Sequence, residues 1–279
     1  MALKDILVIV DEMPSAEARI EVALALAADH DAHLTGLYIS PPVNLPSYVE
    51  SFLTEEMRES WETEERERAA RAGARFTDML GRTGRLARSE WRAVAGTTAE
   101  MAATHGRYAD LVVVGQRDPE VGRDLPWVEP DALVFACGRP VLVVPYAGRF
   151  ATVGRRVLLG WNGSREAARA VADAMPVLER ARLVTLLAIE TAPGRDDPED
   201  QPGLGIARHL AHHGITAEAA RFICEPHEVG DTLLNYATDL GSDLIVMGAY
   251  GQNRLRSLVL GSLTAFILEH MTVPVLLSH

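Results

Sequence analysis

Asp243-Leu-Ile-Val-Met-Gly248 decides how this chain folds: an unbroken apolar run, opened by an aspartate and closed by a glycine. A run without polar alternation belongs to a strand covered on both faces, the environment of a parallel sheet. The same pattern stands earlier as Asp110-Leu-Val-Val-Val-Gly115, displaced by 248 − 115 = 133 residues. Each copy is followed by a matching segment, Arg139-Pro-Val-Leu-Val-Val144 in one case and Val273-Pro-Val-Leu-Leu277 in the other. The chain is a duplication.

Outward from these runs, short β-branched segments alternate with Ala-rich amphipathic ones. In the first half strands are read at Ile6–Val10, Leu34–Ile39, Ser89–Val94, Leu111–Val114 and Val141–Val144. Helices are read between them at Ser15–Ala28, Thr54–Leu80, Thr97–Tyr108 and Pro130–Cys137. The second half repeats the order, with strands at Val157–Leu159, Leu183–Ile189, Ala217–Ile223, Leu244–Met247 and Val275–Leu277. Its helices are read at Ser164–Arg180, Leu204–His213, Val229–Leu240 and Ser262–Met271. Strands alternating with helices predict an α/β fold: two tandem doubly wound domains, each a five-stranded parallel open sheet flanked by helices. The connection Tyr146–Thr152 carries Gly148 and no apolar run, which sets the expected domains at 1–147 and 154–279. Asp11 corresponds to Asn162 at an offset of 162 − 11 = 151, so the first half carries 151 − 133 = 18 extra residues before its fourth strand. They are assigned to Ser40–Gly81, whose Glu- and Arg-rich helix reads as a solvated face.

Composition narrows the function. The 279 residues are 48% hydrophobic and 24% charged, ordinary for globular domains, and the formal net charge is −12. That balance argues against nucleic acid as partner, since phosphate backbones call for clustered Lys and Arg. Local backbone N–H groups can still hold a small anion in an acidic protein. Cys137 and Cys224 fall in different halves and form neither a disulfide framework nor a metal site; Cys224 reads as a buried thiol. Ile6–Val10 is short for a signal-peptide core, and no stretch approaches the roughly eighteen apolar residues of a membrane span. A cytoplasmic protein without a membrane partner is expected.

The chemistry lies after the second copy of the apolar run, in Gly248-Ala-Tyr-Gly251 and, further on, Gly261-Ser262. Open α/β sheets bind ligands at the carboxyl ends of their strands. Gly248 and Gly251 allow positive φ and let backbone N–H groups approach a phosphate, while Ser262 caps the last helix, whose free N–H groups favour an anion. The corresponding loop of the first half keeps nearly the same length, but Asp118 replaces Gly251 and Trp127 or Val128 replaces Gly261. Negative charge and bulk there oppose phosphate. One phosphate site per chain is expected, with the first half a structural or partner-binding copy.

The spacing G-x2-G-x9-G-[ST], complete in Gly248, Gly251, Gly261 and Ser262, is the nucleotide-binding signature of the universal stress protein family, and the whole chain resembles a tandem member of it. The resemblance implies ATP or AMP as ligand, its phosphates held by Gly248, Gly251, Gly261, Ser262 and Leu263, with Met247 and Tyr250 close by. It places Gly160 and Asn162 at the end of the first strand beside the ligand and Ala188 in the adenine pocket. Asn162 stands where the family usually has an acidic residue; Asn is a poorer ligand for a divalent metal, so the place of Mg is left open. The resemblance also implies pairing of the halves through their last strands as an internal pseudo-dimer, and leaves a further homodimer open. A nucleotide-binding protein of stress response or regulation is the leading reading; a slow ATP hydrolase using the same pocket is the alternative.

Other candidates read as structure. His209 and His213 stand at i, i+4 without the glutamate of a metalloprotease motif and fit a solvated helix face. His227 reads as exposed or capping, and Asp29-His-Asp-Ala-His33 as a surface turn.

Overall fold

The computed structural model describes residues 2–42, 54–120, 127–190, 203–249 and 263–279. The first half contributes β1 (Asp5–Ile9), α1 (Ala16–His30), β2 (His33–Ser40), α2 (Glu55–Thr83), β3 (Ser89–Ala95), α3 (Thr98–Gly106), β4 (Leu111–Gly115), α4 (Pro130–Cys137) and β5 (Val141–Val144). The second contributes β6 (Arg156–Trp161), α5 (Arg165–Leu178), β7 (Leu183–Glu190), α6 (Leu204–His212), β8 (Ala217–Ile223), α7 (Val229–Asp239), β9 (Leu244–Gly248), α8 (Leu263–His270) and β10 (Val275–Ser278).

Within each half the strands pair parallel, as the uninterrupted apolar runs require. The two five-stranded parallel sheets expected are the halves of a larger one, joined through the last strand of each as the resemblance implied. One ten-stranded sheet runs through the molecule in the order β3-β2-β1-β4-β5-β10-β9-β6-β7-β8. Its halves join where β5 and β10 pair antiparallel, Leu142 opposite Leu276. The ladder satisfies backbone groups that two isolated sheets would leave open at those edges.

Successive residues of each strand feed two cores, one on either face. Ile6, Val8, Leu111, Val113, Leu244 and Val246 belong to one; Leu7, Ile9, Val112, Val114, Ile245 and Met247 belong to the other. Both cores cross the junction and include residues of both halves.

The aspartate that opens each repeated run has a structural task. Asp110 Oδ2 accepts the backbone N–H groups of Lys4 and Asp5 at 2.7 and 3.1 Å, at the start of β1. Asp243 does the same for Arg155 and Arg156 at 3.1 and 2.9 Å, at the start of β6. These bonds fix the first strand of each half against its fourth.

The halves differ most at their outer ends. α2 has 29 residues and buries Ala72, Phe76 and Leu80, with Phe76 and Tyr38 packed on Trp91 of β3. Its counterpart α6 has 9 residues, of which only Leu210 is buried. Edge strand β8 is correspondingly open: Phe222 and Ile223 are exposed. Cys224, just beyond it, is half-buried rather than buried as its strand had suggested; among the described residues no element covers that edge as α2 covers β3. Among the described residues no helix is long and apolar enough to cross a membrane.

Candidate functional site

The carboxyl ends of β6, β7 and β9 gather several of the residues singled out in the sequence. Gly160 lies in β6, and Asn162 follows its end. Asn162 is exposed, and its Oδ1 accepts the Ser164 N–H at 3.1 Å, so its oxygen serves the turn into α5. Ala188 pairs in register with Trp161 and is buried, beneath Gly203 at the head of α6. Met247 is buried at the end of β9; Gly248 closes the strand, and Leu263 begins α8. Tyr250, Gly251, Gly261 and Ser262 lie outside the described residues.

Gly248 is required by packing. A Cβ there would stand 2.5 Å from the Ala167 backbone nitrogen and 2.8 Å from Glu166 Cβ, at the first turn of α5. That turn is capped by Ser164, whose Oγ accepts the Ala167 N–H at 3.1 Å. Glu166, which the sequence reading passed over, is buried, its side chain 2% exposed. Its Oε1 meets the Nε of exposed Arg165 at 2.6 Å, and its Oε2 has no hydrogen-bond partner. The Arg165 hydrogen bond holds the Glu166 carboxyl below its ordinary value against the opposing effect of burial.

The first half builds the same corner with the opposite charge. Asp11, at the end of β1, lies 2.8 Å from Nη2 of Arg19, a residue of α1 whose side chain is 3% exposed. A Cβ on Gly115 would run into that guanidinium. Trp127 Nε1 donates to the Gly115 carbonyl at 3.3 Å with Arg117 stacked over the indole, Val128 is buried, and Asp118 Oδ1 accepts the Glu120 N–H at 2.9 Å.

Among the hollows formed by described residues, two border strand ends or the junction and lie away from Gly248. One, of about 50 Å³, sits at the ends of β1 and β2 among Val10, Asp11, Met13, Tyr38 and Arg68. It has room for a few waters, and burial together with the charges of Glu65 and Glu12 pushes the Tyr38 phenol well above its ordinary value. The other, of about 470 Å³, lies between the halves, bounded by Gln116, Trp127, Glu129, Leu268 and Glu269. Gln116 spans the junction there. Its Nε2 donates to the Leu268 and Glu269 carbonyls at 2.8 and 3.0 Å, at the end of α8, while its Oε1 accepts the Tyr146 N–H at 3.2 Å. Neither hollow includes the residues of the glycine spacing, although Thr98 at the start of α3 lines the smaller and Glu129 and Pro130 at the start of α4 line the larger.

Among the described residues no group of three or more His, Cys, Asp or Glu side chains could hold a metal ion. His209 and His213 are exposed and meet edge to face, their ring centroids 4.9 Å apart, and His227 is exposed. His30, read as part of a surface turn, is buried in the last turn of α1, because the second half packs against that end and Arg155 pairs with Asp29 at 2.8 Å.

The universal stress protein family model matches residues 2–145 and 154–279. Universal stress protein Slr1230 of Synechocystis sp. (strain ATCC 27184 / PCC 6803 / Kazusa) is 27% identical over 176 residues, 60% of this chain and 57% of that protein. The match thus spans little more than half of that relative. A universal stress protein from Archaeoglobus fulgidus DSM 4304 superposes with a TM-score of 0.69 at 17% identity, covering 98% of this chain and 97% of that one. A functionally unknown protein from Pseudomonas aeruginosa PAO1 gives a TM-score of 0.60 at 17% identity, covering 99% and 92%. At these identities the two structural likenesses speak to the fold.

Proposed function

The chain belongs to the universal stress protein family, and from that premise we propose that it is a cytoplasmic adenine-nucleotide-binding protein of stress response or regulation. The second domain, 154–279, holds one ATP or AMP, and the first, 1–147, is its ligand-free companion. The observation that carries this reading is the spacing Gly248, Gly251, Gly261 and Ser262, complete in one repeat and broken in the other by Asp118 and by Trp127 or Val128. Support comes from Gly248 closing β9 at the carboxyl edge of the sheet, with Leu263 opening the next helix. Phosphates there meet backbone N–H groups and the positive end of a helix.

A nucleotide that binds only the folded form stabilises it by mass action, by about 2.7 kcal/mol at a hundredfold excess over Kd. Thermal unfolding tests this directly. Millimolar ATP or AMP raises Tm by several degrees in the wild type, and Gly251→Asp, which copies the charge of the first repeat, abolishes the rise. A wild-type protein whose Tm ignores both nucleotides overturns the proposal.

A further inference from the structure

The edges through which single repeats pair are consumed within this chain, since β5 and β10 already lie side by side. The ten-stranded sheet leaves two outer ends, β3 and β8. At the first, α2 packs on β2 and β3, but its opening turns stand clear of them: every residue from Glu55 to Glu64 is exposed. Trp61 falls at helical spacing with Glu65, Ala72 and Phe76 on the packed side, and Met57 lies one turn before it. These two side chains are 46% and 54% exposed. The overhang stays helical without a partner. Thr54 Oγ1 accepts the Met57 N–H at 3.3 Å, and Glu62–Arg66 and Glu64–Arg68 pair at i, i+4. Its charge is one-sided, with seven glutamates and two arginines between Glu55 and Glu67. At the other end, α6 carries Arg208, His209 and His212 and no acidic side chain. Leu204 at its head, with Phe222 and Ile223 at the end of the strand it packs on, is exposed. Five of the eight large apolar side chains exposed among the described residues thus sit at the two ends, set among charges of opposite bias.

We infer that each end is covered by the other end of a second copy of this chain. The acidic overhang of α2 seats on the α6–β8 end of the next chain, with Trp61 and Met57 as apolar anchors and Arg208 facing the glutamates. A large aromatic supplies the binding energy of such a contact, and opposite charge selects the partner and its orientation. Pairing of like ends is disfavoured, because two overhangs would set seven glutamates against seven. The contact is heterologous: every chain offers one end of each kind, and copies join head to tail into a ring or an open filament. The rival for the cations of α6 is the chain's own acidic stretch, Asp196-Asp-Pro-Glu-Asp200; a chain in which that stretch takes them stays single.

Sedimentation velocity of the full chain, from micromolar to submillimolar concentration in low salt, tests this. The wild type forms species larger than one chain, growing with concentration. Trp61→Ser disables the α2 end, and Arg208→Glu with Ile223→Ser disables the other; all three side chains are exposed, so the core is left alone. Each variant by itself associates at least about tenfold more weakly than the wild type. Mixed together, the two variants form a complex of two chains and nothing larger, since each retains the end that the other has lost. A wild type that stays single at every concentration overturns the inference. So does a Trp61→Ser protein, or the double variant, that associates like the wild type, because the contact then joins like ends or lies elsewhere. A mixture in which both variants stay single also overturns it. Molar salt weakens the wild-type assembly several-fold, and an assembly indifferent to salt overturns the charge matching on which the choice of partner rests.

Discussion

Gly115 and Gly248 close equivalent strands in the two halves, yet the side chains packed behind them carry opposite charges. Behind Gly115 lies the guanidinium of Arg19, neutralised by Asp11; behind Gly248 lies the carboxylate of Glu166, neutralised by Arg165 at the surface. The backbone of the corner is conserved between the repeats. Gln116 N–H donates to the Val144 carbonyl at 2.7 Å, and Ala249 N–H donates to that of Ser278 at 2.8 Å. Duplication has kept the ladder and changed what stands behind it. At the position of Arg19 the second half has Ala170, offset 170 − 19 = 151, which is buried. Strand geometry is set by hydrogen bonds that any residue can make, whereas ligand chemistry depends on a few side chains that are free to diverge.

That contrast can be broken from either side. Arg19→Met leaves Asp11 without its cation and costs about 3 kcal/mol, measured as a shift in the urea midpoint. Asp11→Asn in the same background restores part of it. A wild-type midpoint for Arg19→Met would mean that the pair behind Gly115 has no structural weight. Next in size is the same substitution at the two glycines. Gly248→Ala drives a methyl group against backbone atoms of α5 and costs about 2 kcal/mol. Gly115→Ala meets the far end of a flexible arginine and costs under about 1 kcal/mol. Equal costs would show the two corners to be packed alike.

Gln116→Leu removes the bonds that tie the first turn to the end of α8, for which Ala249 offers no side-chain equivalent; a loss of about 1 kcal/mol in thermal unfolding is expected. The smallest effect is with pH. Burial first, then Arg180, lowers the pKa of His30 in the last turn of α1, with Arg155, Asp29 and Glu179 also facing it. A depressed folded pKa means that the unfolded chain takes up the proton first. Stability is therefore full above the ordinary histidine value of 6.5 and is lost as pH falls from there through the folded value. In His30→Gln that part of the pH dependence is flattened, which denaturation at a series of pH values would reveal.

Much of the fold could be read in advance because its signals are local. Leu111–Val114 and Leu244–Met247 announce buried parallel strands by lacking polar residues. The extra length before the fourth strand shows itself as the long α2. The buried charges could not be read in the same way. Arg19 and Glu166 stand in Ala-rich stretches, where a charged residue ordinarily marks the solvent side of a helix. They pack against strand ends 115 − 19 = 96 and 248 − 166 = 82 residues away, which no helical period encodes. His30 is covered by the other half of the chain, so no reading confined to one repeat finds it. Gly248 could be singled out from its spacing, but its need for a missing side chain comes from Ala167 and Glu166, on a different helix.

The antiparallel β5–β10 ladder has one more consequence. Two separate copies would have to find each other, and the fraction joined would rise and fall with the amount of protein present. Tethered in one chain, the partners meet at an effective concentration set by the connection between them, independent of how much is made. An acidic corner is thus always matched with a basic one, in a fixed ratio of one to one.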